Sequence, residues 1–379
     1  MRGAAVAALV CLGLAQGVCA ETIRIGVAFP GGAPDLSRQL TDGFELGMRH
    51  SGQRLGGRDV QLAVLPPAET GDAKRIEEFV KAEKPQVLLL ASPEKGNIGL
   101  LKSLSDAGVI VIIPGLGGAD LAGKRCQANV FVTGGQTNQA LDTVAAYADA
   151  ALSKRLVLVH TASYAASAEL LRRGIKSDVL REVALPDDLP DYEADVARLL
   201  ADKPLGIVLQ ASTIATGRLL KALRATPEGR DIPVIWPGGA REGEVKLLGA
   251  EAAGLLTPGG WATGLDLPAN SEFVTGFVQS FGHLPTSAAV YAYDAARLID
   301  VALVKLTDPY TPAQLRDGLH EAALDSPRGV FSFSNNNFPI QDFWMRRVEL
   351  ASDGAVRTVP VAKVFARFGD DFAAECPLR

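Results

Sequence analysis

Histidine, cysteine, methionine and tryptophan are all scarce here: four, four, three and three among 379 residues. The histidines, His50, His160, His283 and His320, stand far apart. No pair at helical spacing, no H-E-x-x-H set and no cysteine cluster marks a metal site. No P-loop and no G-x-S-x-G elbow is present. An exported hydrolase with Ser92 as nucleophile and His160 as base is the remaining enzyme reading, and no motif supports it. No catalytic residue, metal or cofactor is therefore assigned. Positive charge is also short: 38 Lys and Arg against 43 Asp and Glu give a net charge of −5. With no basic run, nucleic acid is excluded as a partner.

What is present begins with a leader. Residues 1–20 read MRGAAVAALVCLGLAQGVCA. Arg2 supplies a short positive region, Ala4 to Leu14 an apolar core, and Val18-Cys19-Ala20 small residues for cleavage before Glu21. This pattern predicts a signal peptide and an exported product. The apolar core is too short to span a bilayer, and no later stretch is long enough. No lipobox precedes Cys11 or Cys19. Two cysteines remain in the mature chain, Cys126 and Cys376. An oxidising compartment predicts that they pair, tying the C-terminal tail to the loop after Val109–Ile113; two free thiols are the alternative.

The body is organised around VLLLASPEKGNIGLLKSLSDAGVIVIIPGLGG, residues 87–118. Two apolar runs, Val87–Ala91 and Val109–Ile113, flank a helix with Ile98, Leu101 and Leu104 on one face. Such runs alternating with helices predict parallel strands buried on both faces. Both strands end at one edge, where open α/β sheets bind ligands. Ser92 and the Gly115–Gly118 loop fall there. A purely structural reading is that Ser92 caps the helix and the glycines turn the chain. The strand–loop–helix unit recurs through two blocks, from Thr22 to Thr133 and from Leu156 to Trp236, which predicts an α/β fold. Helices are expected at 271–281, 287–305 and 311–323, the last capped by Thr311 with Pro312 in its first turn. Strands at 330–333, 341–350 and 358–368 then return to one of the two blocks.

In this order the segments resemble the type I periplasmic solute-binding proteins, the leucine/isoleucine/valine-binding family. The resemblance rests on IRIGVAFPGG, DGFELGMRHSGQRLGGRDVQL, VLLLASPE, GVIVIIPGLGGADL, NVFVTGGQTNQA and GVFSFSNNNFPIQDFWMRRVE, and covers nearly all of the mature chain. It implies two doubly wound, Rossmann-like α/β lobes joined by a hinge of three crossings, near Thr137, Gly260 and Gly329. Lobe one is then 21–137 plus 261–328, and lobe two 138–260 plus 329–379. The family clamps a small solute between the lobes and delivers it to the membrane permease of an ABC importer. The expected partners are that solute and that permease, and the expected state is a monomer. A ligand-sensing or protein-binding module of the same fold is the alternative output.

The resemblance also places a cleft. Ser92 matches a family serine loop that holds a ligand carboxylate. Where a second hydroxyl is expected stand Leu116-Gly117, and the backbone N–H groups of Gly117 and Gly118 take its place. Asn138 stands where a crossing acid holds an α-ammonium, and Gly238-Gly239 where Pro-Glu-Gly would carry another. A buried ammonium without a carboxylate is costly, so the expected ligand is an organic or aromatic acid rather than a plain α-amino acid. Tyr164 matches an aromatic position packing on the ligand, and Thr213 and Gln210 end a strand at the same cleft. Trp236 reads as a buried strand residue, and Trp261 as either cleft lining or hinge packing. Glycine pairs at 31–32, 117–118 and 238–239 are expected to leave room for a large ligand.

Overall fold

The computed structural model describes residues 22–30, 32–66, 72–91, 98–152, 155–187, 189–352 and 354–378. The leader, Gly31 and the Ser92 loop lie outside the described residues.

The chain begins with β1 (Ile23–Ala28), α1 (Pro34–His50), β2 (Val60–Val64), α2 (Ala73–Glu83), β3 (Val87–Leu90) and α3 (Ile98–Asp106). It continues through β4 (Ile110–Ile113), β5 (Leu116–Gly117), α4 (Ala119–Ala122), β6 (Val130–Val132) and β7 (Gly135–Gln136). β2, β1, β3, β4 and β6 form a five-stranded sheet in that order, all parallel. Val87 and Leu89 of β3 face one core cluster while Leu88 and Leu90 face another. This two-sided burial is why the run carries no polar alternation. β2 is an edge strand: Leu62 is 50% and Val64 63% exposed, so its apolar residues do not mark an inner face.

A second set follows: α5 (Gln139–Ala151), β8 (Leu156–Thr161), α6 (Ala165–Gly174), β9 (Val179–Leu185), α7 (Glu193–Leu200), β10 (Gly206–Gln210) and α8 (Thr213–Arg224). Then come β11 (Val234–Ile235), α9 (Glu242–Leu247) and β12 (Leu256–Gly259). β9, β8, β10, β11 and β12 lie side by side and parallel. Val157, Val159, Ile207 and Leu209 face one cluster, and Leu156, Leu158 and Val208 the other.

The chain then returns to the first sheet through α10 (Pro268–Phe281), α11 (Ser287–Val304) and α12 (Pro312–His320). Thr311 closes a reciprocal capping box with Gln314, which satisfies two otherwise orphaned backbone donors. α11 runs alongside α1 in the same direction, since Gln39 bonds Thr286 while Gly43 meets Ala289 and Gly47 meets Tyr293. A Cβ on Gly43 would stand 2.1 Å from the Ala289 carbonyl oxygen, so only glycine permits that approach. Both helices therefore start at the same end.

β13 (Leu324–Ser326), β14 (Gly329–Phe333), β15 (Pro339–Leu350) and β16 (Val356–Phe368) close the chain. β15 joins the second sheet antiparallel to β12, with β16 outside it. Phe331 and Phe333 pack in the first sheet's core. After β16 the tail turns back: Cys376 is bonded to Cys126, with Cα atoms 5.7 Å apart. Phe372 packs on the same core cluster as β4 and β6. No helix among the described residues is long and apolar enough to cross a membrane.

Candidate functional site

Parallel order puts the C-terminal ends of β1, β3 and β4 side by side in one sheet, and those of β8, β10 and β11 side by side in the other. Loops at such an edge have free backbone groups and nearby helix starts, which is where open α/β sheets bind ligands. The two edges face each other. Asp35, in the first turn of α1, accepts from Lys246 of α9 at 2.8 Å. That hydrogen bond, with the lysine's charge, holds the Asp35 carboxyl below its ordinary range.

The sequence-derived residues distribute over both edges. Gly117 pairs with Gln136 across β5 and β7, and its carbonyl accepts from Thr137 N–H at 3.0 Å. The first-edge loop and the residue before Asn138 are thus brought together. Asn138 is half-buried at the start of α5, and its N–H donates to Gln136 Oε1 at 2.6 Å. Tyr164 ends a short 3-10 turn after β8 and is half-buried. Its neighbour Ser163 is held by Asp187, which accepts from the Ser163 hydroxyl at 2.9 Å and from its N–H at 3.0 Å. Gly238 lies in the 3-10 turn after β11. Thr213 turns to α9, where its hydroxyl bonds Glu244, and it lines a groove of about 460 Å³ with Ile214, Gly217 and Leu247.

The expectation that the paired glycines leave open space needs correction. A Cβ on Gly117 would stand 2.4 Å from Phe338, on Gly238 2.5 Å from Trp236, and on Gly239 2.3 Å from Thr257. The protein's own side chains fill those places. Only Gly32 and Gly118, among the described members of the three pairs, have open space where a Cβ would go. Trp236 is buried and donates to Ala211 O at 3.2 Å. Trp261 is also fully buried, donating to Asn270 Oδ1 at 2.7 Å and packing edge-on against Phe273. It packs the seam.

Sequence reasoning missed a buried polar cluster between the two sheets. Arg346 of β15 has no exposed surface and donates to Glu242 Oε1 at 2.6 Å. The same guanidinium donates to the carbonyls of Trp261, Pro258 and Gly239 at 2.6, 2.8 and 3.0 Å. Glu242 also accepts from the Ser287 hydroxyl at 2.7 Å and from its N–H at 3.1 Å. Tyr291, one turn along α11, is buried; burial pushes its hydroxyl up, Arg328 and Arg346 oppose this, and Glu242 adds to it. Below it Arg328 pairs with Asp294 at 2.9 Å and bonds Gln341, whose Nε2 donates to Gly134 O at 2.7 Å.

Two α/β sheets with facing ligand edges and a polar seam where the chain passes between them define a two-sheet solute-binding architecture. The comparisons agree. A family model described as periplasmic binding protein matches residues 109–355. The chain belongs to the periplasmic binding protein family. Its fold is similar to that of a solute-binding protein of an ABC transporter from R. palustris in complex with benzoate, at 22% identity and TM-score 0.72, covering 94% of this chain and 99% of that one. A substrate-binding protein from Sphaerobacter thermophilus aligns at 21% identity and TM-score 0.77, covering 92% and 99%. One from Desulfitobacterium hafniense in complex with Leu aligns at 23% and TM-score 0.71, covering 89% and 100%. No curated protein sequence matches the chain. The neighbours and the family are solute-binding proteins rather than enzymes.

Proposed function

We propose that this chain is the periplasmic solute receptor of an ABC importer and that its solute is an aromatic or other organic acid without an α-ammonium. The observation that carries the ligand class is the state of Glu242. An ammonium buried between the edges needs a free carboxylate. Asn138 and Gly238 offer none, the two carboxylate oxygens of Glu242 are engaged by Arg346 and Ser287, and Glu244 is engaged by Thr213. Neighbours of this fold with benzoate, 3,4-dihydroxy benzoic acid and p-hydroxybenzoic acid bound support the same class.

In this reading the two sheets are the centres of two lobes, and Ser92, Gly117, Gly118, Asn138, Tyr164, Thr213 and Gly238 border the cleft. Residues 1–20 are the cleaved leader, the mature chain is a periplasmic monomer without catalytic activity, and the permease is its membrane partner. The first two crossings stay near Thr137 and Gly260. Phe331, Phe333 and Phe338 pack with the first sheet, which favours a third crossing at Pro339–Gln341 over one at Gly329. Lobe closure then buries the solute.

Thermal shift with purified mature protein tests the ligand class. A ligand that binds only the folded state raises Tm by mass action. Benzoate, 4-hydroxybenzoate and 3,4-dihydroxybenzoate are expected to raise it, and leucine and isoleucine to leave it unchanged. A shift with leucine alone overturns the ligand class, and no shift with any solute overturns the receptor reading.

A further inference from the structure

Two contacts between α9 and the first sheet's helices have a common form. Each reaches the N-terminal end of a helix that belongs to the opposite sheet. At one end of α9, Glu242 is 5% exposed and takes both the N–H and the hydroxyl of Ser287, the first residue of α11. Thr286, the residue before it, makes no side-chain cap of its own. Glu242 therefore acts as the missing cap, supplied from the other sheet; its charge favours the positive end of an eighteen-residue helix. Arg346 holds the carboxylate in place from behind, itself fixed by three backbone carbonyls. At the other end of α9, Lys246 pairs with Asp35 in the first turn of α1. Because α1 and α11 start at the same end, both contacts meet the same end of that helix pair.

We propose that α9 is a latch that holds the two lobes together before any solute arrives, with Glu242 capping α11 as its main contact and Lys246–Asp35 as an auxiliary one. The inference rests on the two-lobe reading above. The latch biases the closed form, so the solute need not supply all of the closure free energy. Binding that requires a fractionally populated form is weakened by that fraction, so removing the latch lowers apparent affinity.

Ser287→Pro is the discriminating variant. Proline is well tolerated at the first position of a helix, where its missing N–H is otherwise an orphan and its fixed φ is already helical. Thr286 has φ −113° and ψ 173°, the extended conformation that a residue before proline prefers. The substitution keeps α11 while deleting both donors that α11 offers Glu242. Lys246→Ala removes the exposed contact alone.

The measurement is the distance between spin labels on Lys81→Cys in α2 and Lys221→Cys in α8, both exposed, read by double electron–electron resonance on the disulfide-bonded mature chain. Without solute, the native latch is expected to give one narrow distance. Ser287→Pro is expected to give a longer, broader distribution, and Lys246→Ala a smaller change in the same direction. Apparent affinity for 4-hydroxybenzoate is expected to fall about tenfold in Ser287→Pro, with circular dichroism unchanged. A distribution for Ser287→Pro that superimposes on the native one overturns the latch, as does a native chain that is already broad without solute. Failure of the ligand reading looks different: 4-hydroxybenzoate then changes the distance in none of the forms, while the solute-free comparison still decides the latch.

Discussion

Arg328 and Asp294 form an ion pair with no exposed surface on either side chain, Nε lying 2.9 Å from Oδ2. The Arg328 guanidinium also lies 4.3 Å above the Phe331 ring centroid and 5.3 Å from that of Tyr291. Through Gln341 it reaches the Gly134 carbonyl, so one side chain ties α11, the segment before β14, the start of β15 and the passage out of β6. Removing one partner of such a pair leaves an uncompensated buried charge. Arg328→Met is expected to cost about 3–5 kcal/mol in urea unfolding. Arg328→Met with Asp294→Leu is expected to recover most of that, because an apolar pair carries no desolvation cost. A single variant as stable as the native chain would contradict the pair's burial.

Asp142, in the first turn of α5, gives a pH signature. Burial, with the Asp371 carboxylate nearby, pushes its carboxyl up to about 6. The folded form then binds a proton between about pH 4 and 6 that the unfolded chain releases. The stability from this group is present below about pH 4 and lost as pH rises through about 6. Asp142→Asn is expected to raise stability by about 1 kcal/mol at pH 7.5, after discounting for its half-exposed position, and to change little at pH 4. Melting temperatures of both forms across that range check the sign.

The Cys126–Cys376 bond closes a loop of sequence separation 250. A cross-link of that span restricts the unfolded chain strongly, and its removal is expected to cost about 2–5 kcal/mol. Cys126→Ser with Cys376→Ser should lower Tm and expose residues 370–378 to carboxypeptidase. An unchanged Tm would mean that the packing of Phe372 and the hydrogen bond from Asn336 to Asp370 hold the tail alone.

Adjacent glycines at the first edge should behave oppositely. Gly117→Ala drives a methyl into Phe338, and overpacking of that kind is expected to cost about 1–3 kcal/mol. Gly118 has φ −77° and open space at its Cβ position, so Gly118→Ala is expected to fall within about 0.5 kcal/mol of native. Solute titrations of Gly118→Ala then report on the cleft without a stability artefact.

Local pattern made much of this protein legible from its residues. Apolar runs of four to six residues between helices gave the parallel strands, because a strand buried on both faces has no polar side to show. Thr311-Pro312 marked the start of α12, because capping is a matter of neighbouring residues. The pairing of Cys126 with Cys376 followed from two of the four cysteines lying outside the expected leader and from the oxidising compartment that such a leader implies.

The seam was decided by tertiary structure. Strand alternation puts Arg346 on the face opposite Phe343 and Met345, the face where a half-covered strand would show a polar residue to solvent. Both faces of β15 are covered instead: Met345 joins one core cluster and Val348 the other, and Arg346 is fully buried. Its partner Glu242 lies 104 residues away, and the donors at Ser287 come 45 residues after Glu242. The glycines show the same limit: sequence marks a place without a side chain, but not whether Phe338, Trp236 or a solute occupies it. Periodicity and capping act within a few residues of one chain segment. A second covered face, a buried charge pair or a filled gap is set by what another segment brings to the same point, and that is fixed only when the two sheets meet.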